Sequence, residues 1–236
     1  MIVAIMQPYF FPYIGYFQLM RAVDQFVFYD DAQYMKNGWI NRNRIAIGEE
    51  EKWVTLPVEH SGLRTKINER HYILKENVEA IKRKLVAAYS RAPNFEKAYR
   101  FVCDLLDFDD PNVAVFNTNL LCESAHRLGI DCHFAVSSEI AQSDGRRGEA
   151  KVIDMCRALG ADHYINPIGG LELYDPRRFS EAGLRLSFLQ TTVSPANPSD
   201  DGTHLSIIDT IMRSGWEEAR SQLGRYKILN KEQLPL

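Results

Sequence analysis

The N-terminal segment carries a strand, helix and strand pattern that restricts the chain to one class of fold. Residues 1–6 form an apolar, β-branched run that ends before Pro8, as in a strand buried on both faces. Residues 16–23, introduced by Gly15, are good helix formers, and residues 25–29 form a second apolar run. A short helix between two buried strands predicts a βαβ unit. We therefore expect a parallel sheet at the centre of the protein.

The segment that follows has a different periodicity. Residues 45–47 and 52–58 alternate around an acidic turn, which predicts an antiparallel hairpin. Residues 76–89 and 95–108 repeat apolar side chains at spacings of three and four, which is typical of amphipathic helices. These elements should interrupt the sheet as an inserted hairpin and a helical segment.

The second half of the chain returns to helix and strand alternation. A helix capped by Asn117 and closed by Gly129 precedes an apolar strand at residues 133–136. A further helix at 149–159 leads to a strand at 162–167. The expected fold class is therefore α/β: a parallel-sheet core that begins with a βαβ unit, with an inserted antiparallel hairpin and a helical segment.

The composition limits the domain count and the classes of function. At 236 residues the chain suits a single domain over residues 1–236, within which residues 76–110 could form a helical subdomain. Its net charge of -3 gives no general attraction to nucleic acid or anionic membranes. Neither the four cysteines nor the six histidines have zinc-site spacing, so we expect no metal. Without a signal sequence or a long apolar stretch, we expect a cytoplasmic protein that does not insert into membranes.

Polar residues follow the first predicted strand, and ligands of parallel sheets bind beyond the carboxyl ends of strands. Gln7 and the tyrosines Tyr9, Tyr13 and Tyr16 carry polar groups that need partners at this strand end. We therefore interpret these four as candidate substrate-binding residues. The phenylalanines between them are better explained by core packing.

The second predicted strand ends at Asp30 and Asp31, the candidate catalytic residues. Two adjacent carboxylates suit general acid–base chemistry, because the charge of one raises the pKa of the other toward neutrality. The segment after them adds amide donors, aromatic faces and cations, which favours a carbohydrate or nucleotide pocket over a simple solvated turn. The candidate substrate-binding residues in this segment are Gln33, Lys36, Asn41, Arg42 and Asn43.

Two later turns are also candidate binding elements. Asn166, Gly169 and Gly170 lie at the end of a predicted strand, where glycines let backbone N–H groups approach a ligand, although a plain tight turn explains them equally well. Residues 143–151 could receive a diphosphate at a helix N-terminus. They lack the spacing of both nucleotide-binding glycine motifs, so an N-capping turn is the better explanation.

Tyr13 and Tyr16 stand where cytidylyl- and adenylyltransferases carry H-x-G-H, between a first strand and a first helix. Those histidines donate charged hydrogen bonds to phosphate in the transition state. Tyrosines carry no positive charge and titrate at about pH 10, so the usual route of nucleotidyl transfer is disfavoured.

Motifs along nearly the whole chain resemble the WbqC-like protein family. The specific motifs are QPYFFPYIGYF at 7–17, DxFVFYDD at 24–31 and WINRNRI at 39–45. The supporting motifs are WVTLPV at 53–58, YxxAP at 89–93, HYINPIGG at 163–170 and LSIID at 205–209.

The resemblance implies a role in making bacterial surface polysaccharide, because such proteins are associated with O-antigen (lipopolysaccharide) biosynthesis. Combined with the polar strand ends, it suggests a transferase that moves an acyl or aminoacyl group to the amino group of a nucleotide-linked sugar. The donor would be a thioester of coenzyme A or of an acyl carrier protein, with no bound cofactor. In this scheme Asp30 or Asp31 accepts the proton of the attacking ammonium. A degenerate nucleotidyltransferase, a non-catalytic sugar-nucleotide binding protein and a structural partner in a glycan-assembly complex are the alternatives.

Overall fold

The computed structural model describes residues 1–62, 64–140, 146–194 and 205–230, which contain eight strands and eight helices. The strands are β1 (Ile2–Met6), β2 (Gln25–Phe28), β3 (Arg42–Ile47), β4 (Glu50–Thr55), β5 (His133–Val136), β6 (His163–Pro167), β7 (Arg185–Thr191) and β8 (Tyr226–Leu229). The helices are α1 (Ile14–Arg21), α2 (Glu76–Tyr89), α3 (Phe95–Leu106), α4 (Val113–Leu128), α5 (Gly148–Ala158), α6 (Pro176–Glu181), α7 (Ile207–Arg213) and α8 (Gly215–Gln222).

Six of the strands form one sheet in the order β5-β2-β1-β6-β7-β8. The first five in that order run parallel, and β8 pairs antiparallel with β7. Strands β3 and β4 form a separate antiparallel hairpin. The predicted α/β class, with a parallel core, an opening βαβ unit and an inserted hairpin, is confirmed.

The central strands are buried on both faces, and alternate side chains enter two different apolar clusters. Ala4 and Phe26 pack with helices α1 to α4, α7 and α8 on one face, whereas Val3 and Val27 pack with α5 and α6 on the other. The connection after β1 therefore lies on one face, and the connection after β6 lies on the opposite face. Between the carboxyl ends of these two neighbouring strands the sheet has a topological switch point, where ligands of such sheets bind.

The helical segment contributes to the same core as the sheet. Helix α2 begins and ends at the predicted residues, and Val78 and Leu85 face the cluster that contains Phe26. The prediction that Asn117 caps the next helix is wrong. The cap is Asn112, five residues earlier, and helix α4 begins at Val113, because the Asn112 side chain accepts hydrogen bonds from two backbone N–H groups in the first turn.

Candidate functional site

The candidate site lies at the carboxyl edge of the parallel strands. Phe28 at the end of β2 pairs with Met6 of β1 on one side and with Val136 of β5 on the other. The residues that follow these three ends are therefore neighbours in space, although they come from distant parts of the sequence. Asp30 and Asp31 extend from the middle of this group.

Asp30 is only 5% exposed, and its carboxylate accepts four hydrogen bonds. The Ser138 backbone N–H and the Ser137 hydroxyl each donate to Oδ1 over 2.9 Å. The Ser138 hydroxyl donates to Oδ2 over 2.6 Å, and the Asn68 amide donates to the same oxygen over 3.1 Å. With both oxygens engaged, Asp30 holds the segment after β5 and the 3-10 turn at Ile67–Glu69 against the end of β2.

Asp31 forms an ion pair with Lys151, the residue that joins helix α5 to this edge. Lys151 Nζ lies 2.5 Å from Asp31 Oδ2, and both side chains are 12% exposed. The Ser137 hydroxyl oxygen also lies 2.5 Å from the other Asp31 oxygen, so its single proton is shared between the carboxylates of Asp30 and Asp31. Burial raises the pKa of Asp31, but the hydrogen bonds from Lys151 and Ser137 and the charges of Lys151 and Lys66 together bring it below 3.8. The expectation of a pKa raised toward neutrality is therefore wrong for Asp31, which is a carboxylate at neutral pH.

Tyr29 forms the aromatic wall of this pair. Lys151 Nζ lies 5.0 Å from the centre of the Tyr29 ring, within the range of a cation–π contact. Burial, followed by the charges of Asp31 and Tyr174, raises the pKa of Tyr29 to about 12. The phenol therefore keeps its proton and can donate a hydrogen bond to a ligand at this edge.

Sequence reasoning missed four residues of this network: Asn68, Ser137, Ser138 and Lys151. A signal for two of them was present, because Ser137 and Ser138 directly follow the predicted strand at 133–136 and parallel strands end at one edge. Lys151 lies at the end of the turn considered above for a diphosphate, of which residues 143–145 are outside the described part of the chain.

Buried side chains hold the loop after β1 in place. Phe11 has a φ of 41°, a left-handed conformation that is rare for a bulky residue. The Asn43 amide donates to the carbonyl oxygens of Phe10 and Phe11, and the Ser206 hydroxyl donates to Phe11 as well. The Asn117 amide donates to Pro8. These contacts fix the loop without help from a ligand.

Asn43 and Asn41 are both predicted to bind substrate, and in the structure their side chains support the neighbouring backbone. Asn43 is 4% exposed, and its Oδ1 accepts from the backbone N–H of Arg44. The Asn41 amide donates over 3.0 Å to the carbonyl oxygen of Leu56, which ties the two ends of the hairpin together. Both side chains therefore bind the protein's own backbone.

The residues displayed by this loop differ in exposure. Gln7, Tyr9 and Tyr13 are partly buried at the end of β1, on the β1 side of the switch point. Burial and then the neighbouring Tyr13 raise the pKa of Tyr9. Tyr16 is 2% exposed, and its hydroxyl donates to the carbonyl oxygen of Gln7. Tyr16 is therefore a core residue, which further disfavours the nucleotidyltransferase arrangement.

The Tyr13 ring covers the start of helix α1. A Cβ atom added to Gly15 would lie 2.2 Å from Tyr13 Cε2, so only glycine fits beneath this ring. The Tyr13 ring therefore packs directly against the first turn of helix α1.

The polar turn before the hairpin holds the remaining predicted residues. Arg42 donates from Nε to the Gly38 carbonyl oxygen over 3.3 Å and from Nη2 to the Asn37 carbonyl oxygen. Its guanidinium also lies 4.1 Å from the centre of the Trp53 ring. Lys36 and Gln33 are exposed. Arg42 thus folds over its own turn and the hairpin, whereas Lys36 remains open to solvent.

The end of β6 forms the other side of the switch point. Asn166 is 4% exposed; its Oδ1 accepts from the Tyr164 hydroxyl over 3.0 Å, and its amide donates to the Pro167 carbonyl oxygen over 3.0 Å. A Cβ atom added to Gly170 would lie 2.0 Å from Asn166 Nδ2, whereas one added to Gly169 would meet nothing within 4 Å. Gly170 therefore serves the packing of Asn166, and exposed Gly169 is the glycine with room for a ligand.

The carboxyl edge holds three groups that could act on a ligand. They are the ionised carboxylate of Asp31, the ammonium group of Lys151 and the protonated phenol of Tyr29. Within the part of the chain that is described, no group of three or more His, Cys, Asp or Glu residues could hold a metal ion. None of the described helices has the length and apolar character needed to cross a membrane.

Comparison with known proteins gives a relative and a family assignment. A protein of Mycobacterium tuberculosis (strain H37Rv) named "Uncharacterized protein Rv1507c" is 31% identical over 188 residues, which cover 79% of this chain and 80% of that protein. No solved structure matches the chain. Residues 7–221 match the model of the WbqC-like protein family, a range that contains both sides of the switch point and the whole Asp31 network. The chain belongs to the WbqC-like protein family.

Proposed function

We propose that this protein transfers an acyl or aminoacyl group to the amino group of a nucleotide-linked sugar at the carboxyl edge of its sheet. The observation that carries the proposal is the Asp31–Lys151 ion pair at the end of β2, the strand next to β1 at the carboxyl edge, where both groups remain partly open to solvent. The donor is a coenzyme A or acyl carrier protein thioester. The association of similar proteins with O-antigen biosynthesis supports this substrate class and a cytoplasmic site of action.

Each group around the pair has a role that follows from its charge. Asp31, ionised at neutral pH, orients the ammonium of the amino sugar next to Lys151. The Lys151 ammonium stabilises the negative charge that develops on the carbonyl oxygen of the thioester. Gln7, Tyr9 and Gly169 line the two sides of the switch point and contact the rest of the sugar nucleotide.

The step balances without a further reactant. The sugar ammonium loses a proton through Asp31 to water, and the free amine attacks the thioester carbonyl. The new C–N bond forms, the C–S bond breaks, and the leaving thiolate takes the second amine proton. Because the pKa of Asp31 is low, Asp31 passes its proton on rather than storing it.

Asp30 has a supporting role in this scheme. Its carboxylate already accepts four hydrogen bonds from Asn68, Ser137 and Ser138, so it positions the Ser137 hydroxyl against Asp31. We therefore assign the proton transfer, for which the sequence offered Asp30 or Asp31, to Asp31 alone.

A panel of nucleotide-linked amino sugars incubated with acyl and aminoacyl thioesters tests the proposal, with the amide product detected by mass spectrometry. We expect Asp31→Asn to lower the turnover by about a hundredfold or more. Glu139→Gln is the matched control, since Glu139 is an exposed acid just beyond Ser138 and should leave turnover unchanged. Full turnover by Asp31→Asn would show that Asp31 takes no part in the reaction. If the protein binds sugar nucleotide but forms no product, it is a binding protein and not a transferase.

A further inference from the structure

A groove of about 300 Å³ lies between helices α5 and α6, apart from the Asp31–Lys151 pair. Three arginines line it: Arg146 just before α5, Arg157 near its end, and Arg178 on α6. The small side chains Ala150 and Ala182 leave space between the two helices. We name this feature the arginine groove.

Two of the arginines are held in place by nearly buried carboxylates. Arg178 Nη1 lies 2.6 Å from Glu149 Oε2, and Arg146 Nη1 lies 3.1 Å from Asp154 Oδ1. The Glu149 and Asp154 side chains are 9% and 10% exposed, so these acids stand behind the guanidinium groups rather than in open solvent. Glu149 is fixed in turn by the backbone N–H of Asp175. Arginines oriented in this way lose less conformational freedom when they bind a ligand.

The two ion pairs leave N–H donors of the groove arginines available for a ligand. Each ion pair uses one terminal nitrogen of a guanidinium group that carries five N–H donors. The exposed Arg157 forms no ion pair with any other described residue. Glu181 is the acid that lines the groove, and it makes no ion pair with the arginines.

We propose that the arginine groove is a binding site for a small molecule that carries a phosphate or diphosphate group. The planar fork of a guanidinium matches phosphate oxygens in bidentate contacts, and two of these three forks are already oriented. A neutral sugar would leave the charge of Arg157 without a partner, because Arg146 and Arg178 already have carboxylate partners and Arg157 has none among the described residues. Glu181 opposes the anion and sets a limit on the affinity. The site does not depend on the proposed transferase activity.

Isothermal titration of the full chain with inorganic pyrophosphate, with the ionic strength held constant by sodium chloride, tests the assignment. We expect Arg157→Gln to weaken binding about tenfold, because one charged hydrogen-bonding group is lost. Glu181→Gln should tighten binding several-fold, because a repulsive charge is removed. Arg83→Gln, at an exposed arginine of α2, is the control and should bind as the wild type does.

Three results would overturn the assignment: no saturable binding by the wild type, equal affinities of Arg157→Gln and Arg83→Gln, or weaker binding by Glu181→Gln. The variant Asp31→Asn distinguishes binding in the arginine groove from binding at the carboxyl edge. Pyrophosphate binding that Asp31→Asn alters and Arg157→Gln does not would place the anion beside Lys151 and refute the groove.

Discussion

Lys151 Nζ and Asp31 Oδ2 lie 2.5 Å apart although 120 residues separate them in the sequence. This contact connects the first turn of helix α5 to the end of strand β2, across the face of the sheet that α5 covers. It leaves the two groups 12% exposed, which is enough for contact with a ligand but too little for free hydration. The ion pair is therefore a structural contact that stays partly accessible at the carboxyl edge.

Replacement of Asp31 by Asn should destabilise the fold and remove part of its acid sensitivity. At pH 7 we expect a loss of about 2 kcal/mol, because the nearly buried Lys151 keeps its charge without a carboxylate partner. The folded pKa of Asp31 lies below the unfolded value of 3.8, so its contribution is complete above pH 3.8 and is lost as the pH falls through the folded pKa. Urea unfolding at pH 7 and at pH 3 measures both effects. If the difference in unfolding free energy between the wild type and Asp31→Asn is as large at pH 3 as at pH 7, the pKa of Asp31 is not lowered in the folded protein.

The two neighbouring glycines after β6 should respond differently to alanine. In Gly170→Ala the new methyl group displaces the Asn166 side chain, which loses its hydrogen bonds to Tyr164 and Pro167, so we expect a loss of about 1–3 kcal/mol. Gly169→Ala meets no atom and should change stability by less than about 0.5 kcal/mol. Thermal unfolding of the pair gives the comparison, and equal melting temperatures would refute the close contact.

Asn43→Ala should lower the stability of the fold, because the Asn43 side chain supports the loop after β1. The Phe10 carbonyl oxygen loses a buried donor, and the left-handed Phe11 keeps only the Ser206 hydroxyl, so we expect a loss of about 2–3 kcal/mol. Lys36→Ala, in the exposed turn before the hairpin, is the control and should have no measurable effect on stability. Denaturant midpoints that coincide for the two variants would contradict the supporting role of Asn43.

His163 should make the protein less stable in mild acid. Burial and then the charge of Arg185 lower its folded pKa below the unfolded value of 6.5. The unfolded chain therefore binds more protons between the two values, and stability rises with pH across that window. His163→Gln should flatten this slope in unfolding curves measured from pH 5 to pH 8, whereas His71→Gln, at an exposed histidine, should keep it. An unchanged slope in His163→Gln would assign the pH dependence to other groups.

Local signals predicted the secondary structure well where periodicity and caps agree. Helix α2 carries apolar residues at regular spacing and was located to the residue, since those side chains lie within a few positions of one another. The start of helix α4 was misplaced because two asparagines compete for the cap, and only packing shows that Asn117 is buried inside the helix. Helices α6 and α8 were not predicted because they are short and mostly polar, and strand β8 was not predicted because it has only four residues.

The sequence by itself determined that strands end in polar residues, because the change from apolar to polar side chains is local. This was sufficient to predict that Gln7, Asp31 and Asn166 lie at one edge of a parallel sheet. Only the tertiary structure decided what each side chain does there. Strand order brings β5 beside β2, so that Ser137 and Ser138 meet Asp30, and the crossover to β6 brings Lys151 to Asp31. Such contacts depend on which strands are neighbours, and no pattern within a few residues of the chain encodes that order.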